Sequence, residues 1–267
     1  MAGVCAVDVG TTRIKAAILD EGPALTRVVS LPSVFSSPRP GWVEIDPEAL
    51  WGQVASSVRQ AAANVPAAAL IIANQRATTL AVDASGRPLA PGLSWQDSRG
   101  AENLDSIVAA IGKDRFIRGT GLVPSVIWSL AKILWFQRQG LPSGVRFATV
   151  QDWLLKRLGS DQWVLDHANA SLTGLMDISS LDWDDDLLQA AGLDRSQLPA
   201  LVASGQPVRR VSPEAAAVLP APAARVLPVA EQARTYRSVY QRYQSALARL
   251  QQAGALSLAG EGSDEWA

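Results

Sequence analysis

The segment VDVGTTRIKAAILD at residues 7–20 restricts the fold of this chain more than any other. Two apolar runs, residues 3–9 and 13–20, read as strands and are joined only by Gly10-Thr11-Thr12. A connection that short makes an antiparallel hairpin. The hairpin also carries an acid, two hydroxyls and two bases where apolar residues would be ordinary. Phosphate is held by backbone N–H groups, hydroxyls and a base, with a carboxylate bringing in Mg²⁺. Asp8, Gly10, Thr11, Thr12 and Lys15 (or Arg13) offer each of those parts. Mg²⁺ takes only one or two carboxylates and keeps several waters, so Asp8 alone suffices as its protein ligand. The pattern is not a P-loop, because no G-x-x-x-x-G-K-[ST] occurs here. From these residues alone, an ordinary structural turn is an equal reading.

The remainder of the chain excludes several function classes. Its 267 residues suffice for one large domain or two small ones. A net charge of −1 gives no field for nucleic acid or an anionic membrane. No apolar run approaches the roughly 20 residues of a membrane span, and no charged leader opens the chain. With one cysteine and one histidine, a zinc site built from these ligands is excluded. Cys5 sits in the first strand and reads as a buried reduced thiol, which fits a cytoplasmic setting. Nothing marks His167 as its catalytic partner, and His167 is assigned no role in chemistry.

Strands and helices alternate, giving an α/β class. SLPSVFSSPRPGW reads as a loop. Asp46 and Pro47 start a helix with Leu50, Val54 and Val58 on one face. ALIIANQ reads as a buried strand, and TTLAVDASGRPL as a strand entering a turn at Asp83–Gly86. SVIWSLAKILWFQRQG reads as a buried helix ended by Gly140. Two more helices are expected, one capped by Asp152 and one near Asp182. From about residue 203 the composition turns to Ala and Pro. Beyond it Ala233, Tyr236, Tyr240, Tyr243, Leu247 and Leu250 step by three and four, the pattern of an amphipathic helix. The expected organisation is a domain over 1–218, an Ala/Pro-rich join over 219–230, a helix over 231–252 and a loose tail over 253–267.

Several stretches together resemble the N-terminal half of the FGGY family of carbohydrate kinases. They are VDVGTTRIKAAILD, GWVEIDPEALW, ANQRATTLAVDASGRPLAPGLSWQDSR, GTGL, VQDWLLKRLG, DHANASLTGLMDISSLDWDDDLL and LDRSQLPALVASGQPV, and they occur in the family's order. The resemblance implies a ribonuclease H-like fold of the actin and hexokinase type, with a mixed sheet flanked by helices. It implies ATP-dependent phosphoryl transfer to a hydroxyl of a sugar or polyol, with ATP and Mg²⁺ as cofactors. By that resemblance Asp8 is the magnesium-associated acid, Gly10, Thr11 and Thr12 form the phosphate turn, and Lys15 is the base beyond it. Arg76 would grip substrate hydroxyls and Trp95 would pack on the carbon skeleton, with Gln96 and Asp97 beside it. Asn169 and Ser171 match a family signature of structural character.

The departures narrow the substrate. Glycerol kinases place an acid after that arginine, where this chain has Ala77, and a tyrosine near the position of Ile127. Xylulose kinases favour Met-His where this chain has Gln75-Arg76. A sugar or polyol other than glycerol is the expectation. The family takes its catalytic aspartate from a Gly-Asp motif that opens its second domain, yet Asp264 is the one aspartate after Asp194. An internal deletion near 219–227 is therefore expected, leaving the chain inactive alone. A non-catalytic sugar-binding domain is the alternative. A half-enzyme that docks a second chain through the tyrosine stripe, as a homodimer for instance, is another.

Overall fold

A computed structural model of the chain describes residues 3–19, 25–63, 65 and 67–205. The chain divides into two units, Met1–Ala223 and Ala224–Ala267. The second lies outside the described residues, as do the expected join, C-terminal helix and tail.

β1 (Gly3–Val9) and β2 (Arg13–Leu19) form the expected hairpin, antiparallel, with Asp8 opposite Lys15 and Val9 opposite Ile14. β3 (Leu25–Pro32) adds a third antiparallel strand. The stretch expected as loop thus supplies the end of β3 and a short β4 (Phe35–Ser36), followed by β5 (Glu44–Ile45). A strand at a sheet edge needs only one packed face, so β3 lacks the dense apolar run that marks a central strand. α1 (Pro47–Ala61) starts as expected, with the Asp46 carboxylate accepting from the N–H groups of Glu48 and Ala49. β6 (Ala67–Asn74) then returns parallel to β1, completing a mixed sheet in the order β3-β2-β1-β6.

Successive strand residues face opposite sides of a sheet, and this alternation accounts for the charges in the hairpin. Cys5, Val7 and Val9 of β1 and Ile14, Ala16 and Ile18 of β2 are buried with Leu50, Val54 and Val58 of α1. Each large apolar side chain so covered contributes about 1.5–3 kcal/mol. Asp8, Arg13 and Lys15 fall on the other face and are exposed. β6 is a strand, as expected, but it is not buried: Ile71, in register with Ala6, is 56% exposed on that open face.

The second half builds around a separate sheet. β7 (Thr79–Val82), β8 (Gly92–Leu93) and β9 (Arg146–Thr149) join β4 and β5 in the antiparallel order β4-β5-β8-β7-β9. Between β8 and β9 come α2 (Ala101–Ile111), α3 (Lys113–Thr120) and α4 (Ser129–Gln137). α4 is buried nearly all round, and Gly140 with φ 65° follows it, both as expected, but it starts at Ser129 rather than at Ser125, because Trp128 before it is extended. α5 (Val150–Arg157) is capped by Thr149 rather than Asp152, which sits at the third helical position and accepts from Thr149 in return. β10 (Val164–Asp166), α6 (His167–Ala170), β11 (Met176–Asp177) and β12 (Asp182–Trp183) follow. α7 (Asp185–Ala190) is capped by Asp184, because Asp182 is taken into the β11–β12 pair. β13 (Ala200–Val202) pairs in parallel with β10. Phe116, Leu130, Phe136, Phe147, Leu175 and Trp183 centre the core of this half.

Candidate functional site

The hairpin turn is tight. The Gly10 N–H donates to the Arg13 carbonyl at 3.1 Å, and a Cβ at Gly10 would lie 2.8 Å from that oxygen. Only glycine closes the turn this way without displacing backbone. The turn leaves Thr12 exposed and Thr11 half-buried, with exposed Asp8 and Lys15 directly across the strands from one another. Arg13 is drawn away, its guanidinium donating to the hydroxyl and carbonyl of Ser30. Of the two bases in the hairpin, Lys15 is thus the one without a side-chain partner among the described residues.

β1 and β6 run parallel, so their carboxyl ends lie side by side, the place where ligands bind in parallel sheets. The chain leaving β6 comes directly to the turn: the Gln75 N–H donates to the Val9 carbonyl at 2.9 Å. From there a hydrogen-bonded circuit begins and ends on Trp95. The indole N–H of Trp95 donates to Thr11 Oγ1 at 3.1 Å, and Thr11 donates to Gln75 Oε1 at 3.4 Å. Thr78 donates to the same Gln75 oxygen at 3.0 Å and accepts from the backbone N–H of Trp95 at 3.3 Å. Thr11 and Trp95, placed in different roles by sequence, are therefore in direct contact. Ala77, between Gln75 and Thr78, has φ 60° and is 2% exposed. A left-handed alanine costs roughly 1–2 kcal/mol, and such strain gathers at functional junctions.

Arg76 is exposed at this edge, its guanidinium donating to the Ala168 carbonyl at 3.4 Å. α6 backs it. Asp166 Oδ1 caps α6 by accepting from the Asn169 N–H (2.7 Å) and side chain (3.0 Å), and Asn169 Oδ1 accepts from the Asn74 amide at 3.0 Å. The DHANAS stretch thus abuts the end of β6. Sequence reasoning passed over Asn74, Gln75 and Thr78. The available signal was their place, since all three flank Arg76 in the polar run that ends an apolar strand.

Gln96 is exposed beside Trp95, whereas Asp97 turns inward and is fully buried. Asp97 Oδ2 accepts from the Val43 N–H at 2.7 Å and from Arg99 Nη2 at 2.6 Å, and Oδ1 accepts from the Arg99 backbone N–H at 2.9 Å. Arg99 also pairs with Glu44 at 2.8 Å and lies over the rings of Trp42 (3.9 Å) and Trp135 (4.7 Å). Buried charge is tolerated when it is paired this completely. Asp97 and Arg99 hold the loop that presents Trp95. A surface groove of about 370 Å³ lies between Glu44, Asp46, Glu48 and Pro88–Pro91 and shares no residue with the Thr11, Gln75, Thr78 and Trp95 circuit. Its acids are engaged by Arg99, the α1 cap and Arg157.

The profile of the FGGY family of carbohydrate kinases, N-terminal domain, matches residues 4–229. The chain is 34% identical over 215 residues to the glycerol kinase of Thermococcus kodakarensis, covering 76% of this chain and 43% of that protein. It is also 34% identical over 217 residues to the glycerol kinase of Burkholderia pseudomallei, with the same coverage. Among solved structures, the gluconate kinase of Lactobacillus acidophilus superimposes with a TM-score of 0.76 at 19% identity, covering 81% of this chain and 45% of that one. The glycerol kinase of Plasmodium falciparum with ADP does so at 0.75 and 24% identity, covering 80% and 46%. These likenesses bear out the ribonuclease H-like fold. The chain spans less than half the length of the relatives it matches. By the extent of the profile match, which takes in most of the chain, the chain belongs to the FGGY family of carbohydrate kinases.

Proposed function

We propose that the described part of this chain is the substrate-side half of an ATP-dependent kinase for a sugar or polyol. The observation that carries the reading is the 3.1 Å hydrogen bond from Trp95 Nε1 to Thr11 Oγ1. It sets a ring suited to a carbon skeleton against a turn suited to phosphate, the adjacency that phosphoryl transfer between two bound groups requires. Arg76 would donate to substrate hydroxyls from the same edge, with Gln96 exposed beside Trp95. Asp97 serves by holding the loop.

The residues at the turn fit Mg-ATP. Gly10 closes a bend that a Cβ would obstruct, Thr11 and Thr12 offer hydroxyls, and Lys15 and Asp8 are exposed and unpaired among the described residues. Asp8 as a single carboxylate suits Mg²⁺ held largely through water. The nucleotide, when bound, supplies the phosphoryl group. Transfer also needs a base within hydrogen-bond reach of the attacking hydroxyl. Both oxygens of Asp97 are already occupied by Arg99 and Val43. That engagement favours a second reading, a sugar-binding domain without chemistry of its own.

A calorimetric titration of the chain with glycerol, xylitol, D-xylulose and D-gluconate, with and without Mg-ATP, tests the proposal. At least one compound is expected to bind, and Arg76→Ala to weaken it tenfold or more, about the loss of one hydrogen bond to a charged group. Phosphorylation by this chain alone is expected to stay at the level of a Lys15→Ala control. Turnover well above that control would reject the inactive-alone expectation, and no binding by any compound would reject the site.

A further inference from the structure

One buried side chain of α4 is charged. Lys132 is fully enclosed, and lysines are almost never so placed without partners. Its ammonium reaches back past the start of α4 and donates to the carbonyl oxygens of Trp95 (3.3 Å), Ile127 (2.8 Å) and Val126. An ammonium has three donors and no acceptor, so three carbonyls satisfy it completely. Trp95 stands in the loop after β8, and Val126 and Ile127 in the segment leading into α4. That segment is closed on itself by the Trp128 indole N–H donating to the Val123 carbonyl at 2.8 Å. Lys132 therefore joins two loops that lie on either side of α2 and α3 in the chain.

We propose that Lys132 is a positioning residue of the polyol site, fixing the Trp95 loop against the 126–127 segment and so setting the room for a carbon skeleton packed on Trp95. The proposal rests on the reading of Trp95 as the substrate wall. Ile127, 38% exposed, is a side chain that the second segment offers to solvent.

The hold depends on protonation. Burial pushes Lys132 down to about 7, with the Asp97 carboxylate opposing the shift. The loop brings Asp97 with Arg99 bound to it, and α2 brings Glu102 and Asp105, both exposed. β7 brings no titratable group, and β9 brings Arg146, set over the Trp163 ring. A neutral amine has one N–H fewer, so one carbonyl loses its donor and the two loops are less firmly joined.

Calorimetry with the tightest-binding compound of the panel, on the acid and alkaline sides of about pH 7, tests this. Wild-type affinity is expected to fall about tenfold as pH rises, the scale of one charge-assisted hydrogen bond. Lys132→Met is expected to bind weakly on both sides with a flat profile. A flat wild-type profile overturns the proposal, as does a Lys132→Met variant that matches wild type or keeps its pH dependence. If Lys132→Met does not fold, Lys132→Gln, with two N–H donors and no titration, takes its place under the same criteria. Absence of binding to wild type at any pH is a separate outcome: it rejects the Trp95 reading, and the positioning role with it.

Discussion

Single residues in this chain are governed by which face of an element they occupy. Asp8 and Lys15 are polar because β1 and β2 leave one face open, whereas Asp152 is a carboxyl enclosed completely. Asp152 Oδ1 accepts from the N–H and hydroxyl of Thr149, and Oδ2 has no partner. Burial outweighs those bonds and raises its pKa to about 7. The folded state then holds a proton that the unfolded chain releases near its usual 3.8. This contribution to stability is largest in acid, falls as pH rises from about 4 to about 7, and is constant above that. Asp152→Asn keeps an acceptor for Thr149 and cannot ionise. It is expected to flatten that part of the profile and to exceed wild type by about 1–3 kcal/mol at alkaline pH in urea unfolding. An unchanged slope would show that Asp152 ionises freely in the fold. The sequence marked Asp152 as a cap and could not show its burial, because α5 is turned inward by contacts with distant strands.

Elements were legible where a local signal sufficed. The β1–β2 hairpin, the Asp46–Pro47 start of α1 and the buried α4 each follow from turn length, capping chemistry or hydrophobic pattern. β3 and the openness of β6 were not, since both depend on which strand lies alongside. Contact between elements also makes demands that composition does not reveal. Gly100, with φ 84°, precedes α2, and a Cβ there would lie 2.0 Å from the Ala131 carbonyl of α4. Gly100→Ala is expected to force α2 away from α4 and to cost about 1–3 kcal/mol by thermal unfolding. The same change at Gly140, with φ 65° and nothing within 4 Å of a Cβ, serves as the comparison. Equal losses would show that backbone strain alone, and not the close approach, makes Gly100 necessary.

At the scale of the whole molecule, the described residues form two cores, one under the β3-β2-β1-β6 sheet and one centred on α4. The far face of that sheet carries Asp8, Lys15 and Ile71 in the open. Ile71→Lys is therefore expected to change stability by less than about 0.5 kcal/mol in urea unfolding, as for surface positions generally. A loss of 2 kcal/mol or more would mean that this face is covered in solution. What the sequence by itself determined is the family, the hairpin and the residue types of the candidate site, because motif order, turn length and charged residues in apolar strands are all local information. Only the tertiary structure decided how those residues meet: Trp95 on Thr11, Gln75 between two hydroxyls, Asp97 turned inward onto Arg99, and Lys132 across two loops. Each joins segments that are distant in the chain, and such contacts arise from packing the two sheets and their helices, which no stretch of residues specifies alone.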